Sequence, residues 1–338
     1  MKKLVWSLLI GCLVLLLSAC GETTKEEATS DLSEKVEEVD GYKATAKMVF
    51  ETGEEPQEYD VEVWYSKPNY YRVHLKHAEE KQSQMIIRND EGVFVLTPAL
   101  NKSFRFQSDW PSNGSQAYLI ESLVKDIEED DAATFAEKDG SYVFESKTRY
   151  KHQHMFPMQE VIFDKKSLTP SSVKVKDAEG NVKISLTFTK VDLEASFEKS
   201  DFNLEKNMMG AQLEVPVLGD GEEEEEPFAV LYPTVELEGT ALHEEEEMDV
   251  DGGKRVIMTF SGEKNYTLIQ EKLDAAPVMM TTTDAPGDVV DLGFAIGSIT
   301  EQSVSWTYNG VDYMLASTDL TQEEMVNVAR SVQGTMIK

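Results

Sequence analysis

One thiol in this chain stands where covalent chemistry can reach it. Lys2 and Lys3 open the sequence, a nearly uninterrupted apolar run follows from Leu4 to Leu17, and Ser18 and Ala19 lead straight to Cys20. A basic start, an apolar stretch and small residues make a secretory signal. A cysteine directly after the small pair makes it a lipobox. Small side chains fit the signal peptidase, the thiol accepts diacylglycerol through a thioether, and cleavage leaves Cys20 as the first mature residue. The apolar run is shorter than the roughly 20 residues a spanning helix needs, and an ordinary secretory signal does not require the terminal cysteine. Of the two cysteines, Cys12 lies inside the signal. The mature chain is therefore expected to hold no free thiol and no disulfide, which excludes cysteine nucleophiles, CxxC redox chemistry and thiolate metal sites.

Other residues invite chemical readings that their spacing does not sustain. His152-Gln153-His154 would set two imidazoles on one strand face, but no third ligand follows at metal spacing, and HExxH is absent. The acidic runs Glu222 to Glu226 and Glu244 to Glu247 lack the alternating ligands of an EF-hand loop and read as solvated charge. Asp249-Val250-Asp251-Gly252-Gly253 reads as a β-turn between two strands. There is no GxSxG, no phosphate-binding Walker loop and no glycine-rich dinucleotide turn. With 63 acidic residues, paired carboxylates arise by chance and single out no acid/base couple. The expectation is no catalytic residue, no metal, and no cofactor beyond the diacylglycerol carried on Cys20.

The formal charge of −31 becomes −33 once Lys2 and Lys3 leave with the signal. Such a chain does not bind nucleic acid, where Lys and Arg must neutralise phosphates. Nor does it adhere electrostatically to anionic lipid. Attachment would rest on the acyl chains, of which two suffice for a stable anchor. The expected location is the extracytoplasmic face of the cell membrane, with the polypeptide standing off the bilayer.

The elements behind these residues form an α+β, mostly β pattern. Residues 1–19 are the signal, 20–30 a polar tether, 31–206 a first domain, 207–227 an acidic linker and 228–338 a second, smaller α+β domain. The first domain opens on a short amphipathic helix through Leu32, Val36 and Val39 that ends near Asp40-Gly41; after it Tyr59, Val61 and Val63 alternate with Asp60 and Glu62, and Tyr71, Val73 and Leu75 with Arg72 and His74. Similar segments recur up to 181–189, separated by turns such as Asp139-Gly140. So many short alternating strands predict an antiparallel sheet, curved or closed, with one face buried. A helix over 115–127, with Leu119, Ile120, Leu123, Val124 and Ile127 on one face, would cap its open side. In the second domain Thr321-Gln322-Glu323-Glu324 makes a capping box for a final helix. The aromatics Trp64, Tyr70, Phe94, Phe104 and Phe163 either line a hydrophobic cavity of the first domain or form its packed interior.

The span from about Asp31 to Lys206 resembles the LolA/LolB-like lipoprotein-carrier fold. The likeness rests on Val63-Trp64-Tyr65-Ser66-Lys67-Pro68-Asn69-Tyr70 and on the Ile86 to Pro98 hairpin. It implies an incomplete, strongly curved antiparallel barrel over an apolar cavity, closed by helices. Where the carriers latch their lid with an arginine before that proline, this chain has Lys67. Residues Phe228 to Met336 resemble a C-terminal module of sporulation lipoproteins, through Gly253-Lys254-Arg255-Val256-Ile257, Val290 to Gly297 and Trp306 to Val311. The combination resembles the YdcC type of sporulation lipoprotein, related in its first domain to the GerS germination lipoprotein. The likeness to GerS implies a noncatalytic protein that binds and regulates a cortex-modifying cell-wall amidase. Two readings follow. The first is a nonenzymatic scaffold for a cell-envelope partner such as a wall-modifying enzyme. The second is a binder of a hydrophobic ligand, a lipid or acyl chain held beneath the helix at 115–127.

Overall fold

The computed structural model describes residues 23–51, 56–78, 83–112, 114–150, 155–214, 228–250, 252–273 and 280–332. Cys20, His152, His154 and Glu222 to Glu226 lie outside them.

The first eleven strands are β1 (Gly41–Phe50), β2 (Gln57–Ser66), β3 (Tyr70–His77), β4 (Ser83–Asn89), β5 (Gly92–Thr97), β6 (Lys102–Phe106), β7 (Thr134–Lys138), β8 (Ser141–Lys147), β9 (Met158–Asp164), β10 (Pro170–Lys176) and β11 (Val182–Asp192). The second part adds β12 (Thr240–Val250), β13 (Gly253–Gly262), β14 (Tyr266–Leu273), β15 (Thr281–Asp284), β16 (Asp288–Asp291), β17 (Ile296–Ile299), β18 (Ser303–Tyr308) and β19 (Val311–Ala316). The helices are α1 (Lys25–Glu38), α2 (Ile120–Glu128), α3 (Leu204–Glu214) and α4 (Gln322–Ser331).

The expected curved, open antiparallel sheet is present, in the order β15-β6-β5-β4-β3-β2-β1-β11-β10-β9-β8-β7. A second sheet runs β12-β13-β14-β19-β18-β17-β16. Strand β15 comes from the C-terminal part of the sequence, yet it pairs in parallel with β6, Thr281 opposite Lys102 and Asp284 opposite Arg105. One buried apolar cluster runs through both sheets.

The inner face of the first sheet is covered in two ways along the same strands. At the Tyr42 end of β1 lie the helices: the Tyr42 hydroxyl donates to Glu121 at 2.9 Å, and Lys67 Nζ donates to the Glu37 carbonyl at the end of α1. Lys67 thus ties down a helix, though through a single ammonium rather than a planar fork. Helix α2 is pinned by Asp126, which accepts from Ser115 at 2.6 Å, Arg149 Nε at 2.5 Å and Gln159 at 2.8 Å. At the Phe50 end, the second sheet takes over. Tyr59 donates to the Phe294 carbonyl at 3.1 Å, and Phe50 fills the space beside Gly293, whose φ of +88° needs no side chain.

Three expected boundaries are corrected. The tether expected over 20–30 gives way to α1 at Lys25, because Thr24 and Glu27 form a reciprocal capping box and Ala28 and Leu32 bury against the core. The helix expected over 115–127 is helical only from Ile120, since Leu119 is an extended N-cap and the Gln116 amide is held by Ser122 Oγ at 2.8 Å. The linker expected over 207–227 begins as helix: Met208 and Ala211 of α3 pack on the outer face of the first sheet. Strands β7 and β15 carry no strong apolar alternation and were not expected from the sequence.

Candidate functional site

Period-two alternation places the five candidate aromatics on opposite faces of the first sheet. Along β5, Val93 and Val95 point into the main core, while Phe94 and Leu96 point outward. The pairing of Val95 with Phe104 and of Ile87 with Phe94 carries the same division into β6 and β4. Phe163 is fully buried in the main core, edge-on to Phe144. Phe94 and Tyr70 lie outward with Met85, Ile87 and Leu96, under Phe202 and α3. Trp64 stacks on Phe197 at 5.1 Å and lies 4.2 Å from the Arg72 guanidinium. Arg72 in turn donates to Asn207 Oδ1 and to Glu62, both at 2.6 Å. Trp64, Tyr70 and Phe94 therefore do not line a cavity inside the sheet; they seat the chain segment that leaves it. Of the five, Phe104 alone faces open space.

That space is a cleft of about 540 Å³ between the two sheets. It falls within the range of about 300–1,000 Å³ typical of ligand sites. The hollow beneath α2, bounded by Tyr42, Tyr65, Ile120 and Glu121, measures only about 20 Å³. The inward residues of α2, Leu123, Val124 and Ile127, are buried in the core, and beside them burial raises the Glu121 carboxyl above the ordinary range.

One wall of the cleft is Val95, Phe104 and Phe106, extended by β15. The other is the second sheet, where register sets out the chemistry in rows. Arg255, Glu271, Asp312 and Thr307 lie side by side across β13, β14, β19 and β18. The Arg255 guanidinium meets Glu271 at 2.5 Å, Thr307 donates to Asp312 at 2.7 Å, and Asp312 also pairs with Lys102 of the first sheet. The next row on the same face is Ile257, Ile269 and Met314, then Ser305. Met314 is 41% exposed. The following row holds Thr259 and Thr267. An apolar stripe thus runs between a charged row and a hydroxyl row, leading into the cleft. Thr97 Oγ1 and the Trp306 indole nitrogen are buried in the walls without a hydrogen-bond partner among the described residues. Of these cleft-wall residues only Phe104 stood out in the sequence as a candidate. Alternation placed Ile257, Ile269 and Met314 on strands, but their common row needs the pairing register.

The opposite face of the second sheet is closed. Gln270 exchanges hydrogen bonds with both backbone groups of Leu231, and α4 packs on β18 and β19. Arg330 of α4 reaches the first domain, 4.4 Å over the Phe156 ring, while donating to the Asp291 carbonyl at 2.7 Å. Burial lowers its guanidinium to about 10 and raises the neighbouring Asp291 carboxyl. Arg330 thus ties the two parts together. Among the described residues no group of three His, Cys, Asp or Glu side chains is placed to hold a metal ion.

Comparison with known proteins agrees with the sequence-level likeness. Residues 1–202 match the family model described as "Sporulation protein YdcC-like". Over 332 residues the chain is 49% identical to "Sporulation protein YdcC" of Bacillus subtilis (strain 168), covering 98% of this chain and 97% of that one. Among solved structures, the Pseudomonas aeruginosa MucA/MucB complex aligns over 90% of this chain and 98% of the other, at 14% identity and a TM-score of 0.33. The LolA superfamily protein NE2245 from Nitrosomonas europaea aligns over 53% and 98%, at 11% and 0.30. The CwlD amidase from Clostridioides difficile in complex with the GerS lipoprotein aligns over 53% and 98%, at 14% and 0.23. On the family match and the near full-length identity, this chain belongs to the YdcC-like family of sporulation proteins.

Proposed function

We propose that this sporulation protein is a noncatalytic binding module, anchored by diacylglycerol on Cys20 at the extracytoplasmic face of the cell membrane. Its partner is a cell-envelope protein, a wall-modifying enzyme of spore formation. The observation that carries this reading is the cleft with its apolar row of Ile257, Ile269 and Met314 between charged and hydroxyl rows. Such a surface suits an extended polypeptide segment. Apolar side chains would settle on the stripe while backbone and polar groups meet the flanking rows. The lipobox and the family's place in sporulation support the location and the class of partner.

Crosslinking in sporulating cells, followed by purification of the lipoprotein, tests it. An envelope protein recovered with the wild type and lost with Ile269→Glu is expected. Equal recovery with both variants, or recovery of none, counts against it. A second reading, binding of a lipid or acyl chain, is favoured by the cleft's volume and its Phe104 and Phe106 wall. Native mass spectrometry separates the two, since only the second predicts a small apolar molecule carried through purification.

A further inference from the structure

We infer that the β7 edge of the first sheet lies against the bilayer surface and that the cleft opens away from it. This rests on the reading of Cys20 as the acylated residue. Only three residue steps separate Cys20 from Thr23, a span of about 10 Å when fully extended. From Thr23 onward the chain is bound into the fold. Thr23 Oγ1 accepts from Lys165 at 3.2 Å, Thr24 caps α1, and Lys25 Nζ donates to the Asp131 carbonyl at 3.0 Å. Lys165 also meets Glu137 of β7 at 2.6 Å, so the chain enters at that edge. Acyl chains in the hydrocarbon would hold Cys20 at headgroup level, and the short reach then leaves the β7 edge beside it.

The cleft belongs to the other edge. Strands β6 and β15 end the first sheet opposite β7, with ten strands between β15 and β7. At about 4.8 Å per strand, the two edges are separated by about 50 Å along the curved sheet. Charge acts in the same direction. Residues 207–338 hold 26 acidic and 6 basic residues, net −20, whereas residues 21–206 hold 37 and 24, net −13. Strand β12, with Glu244 to Glu247 exposed along it, edges the second sheet. An anionic bilayer repels the more acidic half, and the tether holds the less acidic half near it. The surface offered to a partner is therefore the far one, facing the wall.

The mature chain's lack of a free thiol makes this testable with single-cysteine reporters. Lys138→Cys and Lys166→Cys mark the tethered edge; Thr283→Cys and Glu246→Cys mark the far one, and all four positions are exposed. The lipidated variants, labelled with a fluorophore, are reconstituted into phosphatidylglycerol/phosphatidylethanolamine vesicles carrying a headgroup quencher. Quenching several-fold stronger at 138 and 166 than at 246 and 283 is expected, and a long Gly/Ser insert after Gly21 should erase the contrast. Equal or reversed quenching on protein that floats with the vesicles overturns the orientation while leaving the anchor intact. A contrast that survives the insert overturns the short tether as its cause. Protein that does not float, or whose Cys20 mass lacks diacylglycerol, overturns the anchor itself and the orientation with it.

Discussion

The two ends of the seam between the sheets are built differently. At the Phe50 end the contact is filled: Phe50 lies against Gly293, Tyr59 bonds the Phe294 carbonyl, and Phe294 packs edge-on to Tyr308 at 4.9 Å. At the β6 end the same face of the same sheet stays open, and Phe104 and Phe106 look across the cleft at Ile269 and Met314. The closed end is packed with apolar side chains, whereas around the open end the two parts meet through the Lys102–Asp312 pair and the β15–β6 ladder. A covered sheet face need not be a filled one; here the second domain covers the open side of the curved sheet and leaves room at one edge.

The largest effect should come from breaking the closed end. Gly293→Val places a Cβ within about 2 Å of the Phe50 ring and forces a branched residue into positive φ. A loss of about 3 kcal/mol or more is expected, from overpacking together with backbone strain. Chemical denaturation would measure it, and protease cleavage in the seam should rise. An unchanged midpoint would mean that the contact is dispensable.

Arg330→Met comes next. It keeps much of the apolar stem over Phe156 but removes the cation beside the half-buried Asp291. A loss of about 2 kcal/mol is expected for a half-buried charge left uncompensated, somewhat below the usual cost of breaking a direct buried pair. The same unfolding curves read it.

Glu121→Gln tests the helix-covered end of the inner face. Burial raises the Glu121 carboxyl above the ordinary range, so the folded state binds its proton more tightly than the unfolded chain. Its stabilising contribution is complete below the unfolded value of about 4.3 and is lost as pH rises through the folded one. Gln, which cannot ionise, should flatten the melting temperature over that window and raise it at neutral pH. A wild type and variant with parallel pH profiles would remove the argument.

Ile269→Glu should have the smallest effect on the fold, within about 0.5 kcal/mol for a half-exposed position, while abolishing binding at the cleft. A variant that melts like wild type and still captures the partner would move the binding surface elsewhere. Together, Gly293→Val and Ile269→Glu separate the closed end from the open one.

Most strands of both sheets were legible, because Val, Ile, Tyr and Phe alternate with charged residues and turns such as Asp139-Gly140 separate them. The terminal helix was legible from Thr321 and Glu324. Strand β15 was not: Thr281-Thr282-Thr283-Asp284 has no alternation, and its parallel partner lies far back in the sequence. Helix α1 was legible in its second half, where Leu32 and Val36 share a face, but not in its start, because the capping box of Thr24 and Glu27 sits in a polar stretch that reads as tether. For Phe94 apolar character was plain, but both faces of β4 and β5 are buried, so composition does not distinguish inward from outward, whereas Trp64 and Tyr70 fall in the alternation with Glu62 and Arg72, on the outward face.

By itself the sequence determined what depends on neighbouring residues: the acidity, the alternating strands and the caps. Each is written within a few positions of the chain, where side-chain spacing and local hydrogen bonding decide. Only the tertiary structure decided what depends on register between distant strands: which face Phe104 shares, how β15 joins β6, where the seam closes and where it stays open. A shift of one residue in a single pairing would turn every side chain of that strand to the other face. The cleft is therefore a property of the assembled sheets.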